Sequence, residues 1–466
     1  MTADRHGLEL SGIGAEGVAL FERALDDLLF FRPAVVGNLA AAREVAPEAP
    51  LPHVFAAYLG LLATEEHDAA EAREDFVRFR AGLERASATP RELAHVDAAS
   101  AWLDGDILAA GRLLGELTVA YPRDALALMV GHQIDFLTGD AVRLRDRVGG
   151  ALSAWDEDDP HYGHLCGMYA FGLEEAGHYD RSEPVGLAAV AANPRDVWAV
   201  HAVVHTYEMQ GRFGEGVAFL DARTEDWSAG NFLTVHNWWH YALFAIEVGD
   251  VARALAVYDA ALHNKESAGQ AMELLDASAL LWRLYLARQD VGDRWSALAD
   301  AWAGRNDGPY YAFNDTHAVM AYLGAGRFAE AEGLLRDRRR WLAAPHPGVT
   351  NHMMTEEIGV PVCHALIAFA QGRYGEAVDV LAPLRLRLNL YGGSHAQRDA
   401  VQKTLLEAAI RAGRDDLART LLSERLGLRP TSPYNWLTQA RLAERLGREA
   451  EAAAARAKAE RLTRGV

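Results

Sequence analysis

The chain has 466 residues, half of them hydrophobic, a formal net charge of −19 and two cysteines. That length exceeds one ordinary domain and calls for several domains or a repeat array. Its acidity argues against nucleic acid or an anionic membrane as partner, and the wide separation of Cys166 and Cys363 excludes a disulfide framework.

The N-terminus, MTADRHGLEL, lacks the basic and apolar regions of a signal peptide. Apolar runs such as Val54 to Ala63 are too short to span a bilayer. The expectation is a cytoplasmic protein in a reducing compartment. Alanine, leucine, glutamate and arginine dominate, which favours helix nearly throughout. Residues 1–90 contain amphipathic stretches such as FERALDDLLFF, broken at Arg32-Pro33, and are expected to form helical hairpins that cap the array. A helix start follows at Thr89-Pro90-Arg91-Glu92, with proline at the first helical position.

From there a glycine recurs between two helical stripes. Gly105, Gly139, Gly177, Gly211 and Gly249 are spaced by 34, 38, 34 and 38 residues. A weaker turn falls near Gly292, and the series resumes at Gly326, Gly372, Gly413 and Gly447. A 34-residue helix–turn–helix period is the tetratricopeptide (TPR) signature. The long step from Gly326 to Gly372 contains a breaker-rich loop, Ala344 to Thr355, able to cover one end. Ser394-x-x-Gln397 is a capping-box pattern. Residues 91–466 therefore read as TPR-like repeats with a C-terminal cap helix, continuous with the N-terminal hairpins. The expected fold is an all-α, right-handed α-solenoid of nine to eleven TPR-like hairpins, compact and nearly closed.

In such a repeat the first helix of each hairpin lines the concave wall. Counting back from each turn glycine, His164 and Glu174, His201, His205 and Glu208, His236, Trp239 and His240, and His317 beside Asn314 and Asp315 fall at inner rather than packing positions. His132 and His364 fall at packing positions. His201/His205 and His236/His240 are i,i+4 pairs, each presenting two imidazoles to one side.

The motif strings match something specific. AFGLEE, DVWAVHAVVHTYEMQGRFGEG and DWSAGNFLTVHNWWHYALFAIEVGD, with FNDTHAVMA, the segment 359–364 and YGGSHAQRDAVQ, resemble the tetratricopeptide repeat protein 38 family. The similarity runs from about Thr89 to Pro430. The resemblance implies a helical-repeat fold and brings no established reaction. His395 stands where related sequences can carry another polar residue, which weakens a catalytic case for it.

Three functions stay open. One is a pocket for a small polar ligand, able to support acid–base chemistry, because histidine and carboxylate side chains titrate where such chemistry needs them. Its catalytic candidates are His205, Glu208, His240, Asp315 and His317; its ligand-binding candidates are His164, Glu174, His201, His236, Trp239, Asn314 and Arg398, with Trp198 and Trp227 as an apolar wall. The second is a non-enzymatic scaffold that binds a peptide or protein in the groove. The third, without an expected cofactor otherwise, is a divalent metal on His201, His205 and Glu208. No GxSxG, P-loop or GxGxxG pattern accompanies these residues. The ligand pocket is expected to enclose a few hundred cubic ångströms, the usual range for such sites.

Overall fold

The computed structural model describes residues 2–305 and 308–464. It is an all-α solenoid of TPR-type helical hairpins; its strands are a two-residue pair in which Thr2–Ala3 runs antiparallel to Glu9–Leu10. Helix pairs run from Ala15–Leu29 with Val35–Val45 to Pro433–Arg445 with Glu449–Arg464, twelve among the described residues.

Local chemistry explains the hairpins. At Gly211 the backbone turns left-handed (φ 74°) and its N–H donates to the Glu208 carbonyl, while the Arg212 N–H reaches back to Tyr207. A residue with a Cβ is strained in that conformation, so glycine ends the helix at low cost. Gly105, Gly139, Gly177, Gly249, Gly326, Gly372, Gly413 and Gly447 share it. Aspartates restart several helices: Asp106, Asp140 and Asp250 each accept a backbone N–H three residues on, at 2.8–3.0 Å. The Thr89/Glu92 and Ser394/Gln397 capping boxes are both formed.

The hairpin count exceeds the expected nine to eleven because the early turns do not use glycine. Phe31 (φ 55°) and Thr64 (φ 59°) take the left-handed position instead. Both are held by distant contacts. The Phe31 ring stacks on Trp198 with centroids 5.2 Å apart, and its carbonyl accepts from Phe232 N–H at 2.9 Å. The Thr64 carbonyl accepts from Asn314 Nδ2 at 2.9 Å. Strain at a bulky left-handed residue persists where surroundings fix it.

These contacts close the solenoid on itself. Glu65 Oε1 accepts from Ala271 N–H at 2.9 Å, Asn389 Nδ2 donates to the Gly139 carbonyl at 3.2 Å, and Thr350 N–H donates to the Gly105 carbonyl at 2.9 Å. The Ala344–Thr355 stretch is a loop only in part. From Thr350 it is helix, continuing through a π turn at Thr355–Gly359 into Val360–Ala370. By length and composition this run could cross a membrane, but 61% of it is buried within the protein. The bore is filled by the helix His395–Arg411, which packs on Ala271–Leu286 and Val197–Gln210. Trp282 Nε1 donates to Thr404 Oγ1 across that contact at 2.9 Å.

Candidate metal centre

Two neighbouring inner helices, Val197–Gln210 and Thr234–Glu247, carry the two histidine pairs. Asp196 fixes the start of the first by accepting from the N–H groups of Trp198 and Ala199, each at 3.1 Å. The paired faces meet ring to ring. Centroids lie 4.4 Å apart for His201–His205, 4.5 Å for His205–His240, 4.8 Å for His236–His240 and 4.9 Å for His201–His236. One ring nitrogen from each of the four lies within 4.8 Å of all the others.

Carboxylates stand behind three of the rings. Asp276 Oδ2 lies 2.8 Å from His236 Nδ1, Glu208 Oε2 lies 2.7 Å from His240 Nδ1, and Glu174 Oε2 lies 3.4 Å from His205 Nδ1. A carboxylate on Nδ1 holds the proton there and turns the Nε2 lone pair the other way, the arrangement found behind metal-ligating histidines. Among the described residues, Nε2 of His240 and both ring nitrogens of His205 are buried without a hydrogen-bond partner, so only Asp276 and Glu208 hold a ring proton by a hydrogen bond. His201 Nε2 and His236 Nε2 face each other at 3.1 Å.

The rings are also in the protonation state that ligation needs. Burial, then the neighbouring imidazoles, holds His201 and His240 well below the ordinary histidine value. Burial takes His205 down to about 4, although Glu175 and Glu208 oppose it. Burial raises Glu208, and it raises Glu174 further, with Glu175 adding to the effect. Four imidazoles without a thiolate suit a borderline first-row ion such as zinc, iron, nickel or copper, whereas magnesium and calcium prefer oxygen. The donor set therefore fits a transition-metal ion.

Other expected site residues lie elsewhere or act differently. Glu208 is not a third donor beside His201 and His205. One turn beyond His205, it reaches the next helix and sits behind His240. Glu174 likewise sits behind His205. Trp239 stacks on His236 at 5.2 Å and walls the centre together with Trp198, 4.9 Å from His201, but Trp227 packs on Trp238 instead. His164 pairs with Asp196 at 3.1 Å. Asp315 is consumed by a two-pronged pair with Arg338, both contacts at 2.8 Å, and Asn314 holds Thr64. His317 Nδ1 is tied to the Phe313 carbonyl at 2.8 Å, and burial lowers its pKa to about 4. Arg398 pairs with Glu175 at 3.4 Å rather than facing a ligand. His132 is buried as expected, but His364 is half-exposed beside Glu376 at 2.9 Å, not in the core.

The chamber of a few hundred cubic ångströms is not found beside the centre. The space bordered by Glu208, Glu247, Arg283, Asp399, Lys403 and Arg429 amounts to about 10 Å³, room for one water at most. Around it runs a buried ion network: Asp399 meets Arg425 at 2.6 Å, and Lys403 meets Glu247 at 2.7 Å. Sequence reading missed Asp276. Its signal was a carboxylate past the first turn of the apolar inner helix AMELLDASALLWRLYL, whose other acid, Glu273, sits in that first turn. It also missed His6 and His161, 3.2 Å apart, of which His161 is hydrogen-bonded to Asp26 at 2.7 Å while His6 Nδ1 lies 3.3 Å from Asp159 without a hydrogen bond.

No protein-family model matches the chain. Among solved structures it is similar to human IFIT1 in a dimer with PPP-AAAA, at 14% identity over 97% of this chain and 96% of that one, with a TM-score of 0.42. Yeast Tom70 is similar at 13% identity over 96% and 92%, with a TM-score of 0.31. The TPR domain of P58(IPK) is similar at 12% identity over 81% and 99%, with a TM-score of 0.22. These likenesses concern the fold.

Proposed function

We propose that this chain is a helical-repeat metalloprotein of the tetratricopeptide repeat protein 38 type, which holds one first-row divalent ion on His201, His205, His236 and His240. The observation that carries the reading is the convergence of four ring nitrogens, three of them on fully buried histidines, with a carboxylate hydrogen-bonded behind two of the rings and a third 3.4 Å from His205. A buried polar nitrogen left unpaired costs roughly 1–3 kcal/mol. Two such nitrogens at one point are answered by a cation that collects their lone pairs. The small polar ligand expected from the sequence is, on this reading, the ion and whatever donor binds to it. The free thiols Cys166 and Cys363 support a reducing compartment.

The test is metal content. Protein purified without chelator should carry close to one transition-metal ion per chain by mass spectrometry, and a His205→Ala/His240→Ala double variant should carry none. Equal metal content in both proteins defeats the proposal.

A peptide or protein partner is a second reading, favoured by one surface feature. The last hairpins leave a groove of about 580 Å³ lined by Leu426, Trp436, Ala455, Lys458 and Arg461. A partner there would need no metal and would not reach the histidines.

A further inference from the structure

The four histidines are not equivalent, and the difference says where the ion would exchange a ligand. His236 and His240 each hydrogen-bond a carboxylate at Nδ1, at 2.8 and 2.7 Å, and His205 Nδ1 has the Glu174 carboxyl 3.4 Å away without a hydrogen bond. His201 has none: its Nδ1 is buried and without a hydrogen-bond partner among the described residues. The proton positions follow. With Asp276 holding a proton on His236 Nδ1, the facing His236 Nε2 is an acceptor. His201 Nε2, 3.1 Å away, is then the donor. To bind an ion, His201 must release that hydrogen bond and move its proton to Nδ1, where nothing accepts it. His240 already has its proton placed by Glu208 and its Nε2 free, His205 Nε2 is likewise without a partner, and His236 Nε2 is freed once His201 lets go.

Resting on the metal reading, we propose that His205, His236 and His240 form the permanent ligand set and that His201 is the exchangeable one, the position at which a small monodentate oxygen or nitrogen donor enters the coordination sphere. Three features agree with this. Ligand basicity and orientation come from the partner at the remote ring nitrogen, and among the four rings His201 alone has no carboxylate near its Nδ1 among the described residues. Three protein imidazoles plus one replaceable position is the pattern of reactive rather than purely structural sites. And on its far side His201 meets the rings of Trp198, at 4.9 Å, and Phe171, at 5.1 Å, with no hydrogen bond to its Nδ1 among the described residues.

The experiment uses the full chain, cobalt(II) as a spectroscopic probe and azide as the probe donor. Cobalt titrations of the parent protein and of His201→Ala, His205→Ala, His236→Ala and His240→Ala are followed by the visible spectrum, with circular dichroism to verify folding. His201→Ala should keep one cobalt per chain with less than a tenfold loss of affinity, and azide should shift its bands. The other three should lose at least a hundredfold. Should any of those three fail to fold, Asp276→Asn and Glu208→Gln take their place, with an expected loss of about 10–100-fold. If His201→Ala loses cobalt to the same degree as the others, or azide leaves its spectrum unchanged, the exchangeable position is wrong while the metal reading stands. If the parent protein takes up no cobalt, both are wrong.

Discussion

At the scale of the residue, burial lowers the pKa of His201, His205 and His240. The ordinary histidine pKa is about 6.5, and burial takes His205 and His317 down to about 4 and His132 to about 3. In the unfolded chain each would take up a proton below pH 6.5; in the folded chain each stays neutral until pH 4 or lower. Between those values the unfolded state binds more protons, so stability rises with pH and is lost as pH falls from 6.5 towards 4. Each group contributes a slope of at most about 1.4 kcal/mol per pH unit. Denaturant unfolding at pH 7, 6 and 5 should show this loss, and His317→Gln should make it shallower. A midpoint that is flat from pH 7 to 5 would refute the buried, neutral assignment. The sequence shows the four histidines as two i,i+4 pairs on inner faces, because that depends only on helical spacing. It cannot show Asp276 behind His236, because that contact spans 40 residues and depends on how two hairpins stack. For the same reason Glu208 reads as a ligand when taken alone, and becomes a partner of His240 once the next helix is in place.

At the scale of the element, the turn glycines do two different jobs. Gly177 turns left-handed with nothing within 4 Å of where a Cβ would stand. Gly139 has the same kind of φ, but there a Cβ would run into the Asn389 backbone. Alanine at Gly177 should cost only the left-handed conformation, about 1 kcal/mol, whereas alanine at Gly139 adds overpacking against an unyielding carbonyl and should cost roughly 3 kcal/mol. Urea unfolding of the two variants distinguishes them, and equal costs would mean that the Gly139–Asn389 closure is not made in solution. The glycine period made the later hairpins legible. The first two were obscured because Phe31 and Thr64 stand at their turns, held by Trp198 and Asn314 from far along the chain, a compensation that no local rule contains.

At the scale of the whole molecule, an open superhelix would offer a groove, but this one is shut. Its ends meet through Thr64 with Asn314, Glu65 with Ala271, Gly105 with Thr350 and Gly139 with Asn389. The helix His395–Arg411 then brings Asp399, Lys403 and Glu407 into the bore, where partners from other helices satisfy them. Closure turns the concave wall into an interior. That buries His201, His205 and His240 fully and lowers their pKa values. The most direct test is crystallographic: diffraction from metal-loaded protein, collected on both sides of the absorption edge of the ion it carries. The account predicts one strong anomalous peak among His201, His205, His236 and His240, about 2 Å from the Nε2 atoms and absent below the edge. An ordered lattice of loaded protein with no peak there, or with a peak only at surface histidines such as His67, would contradict it.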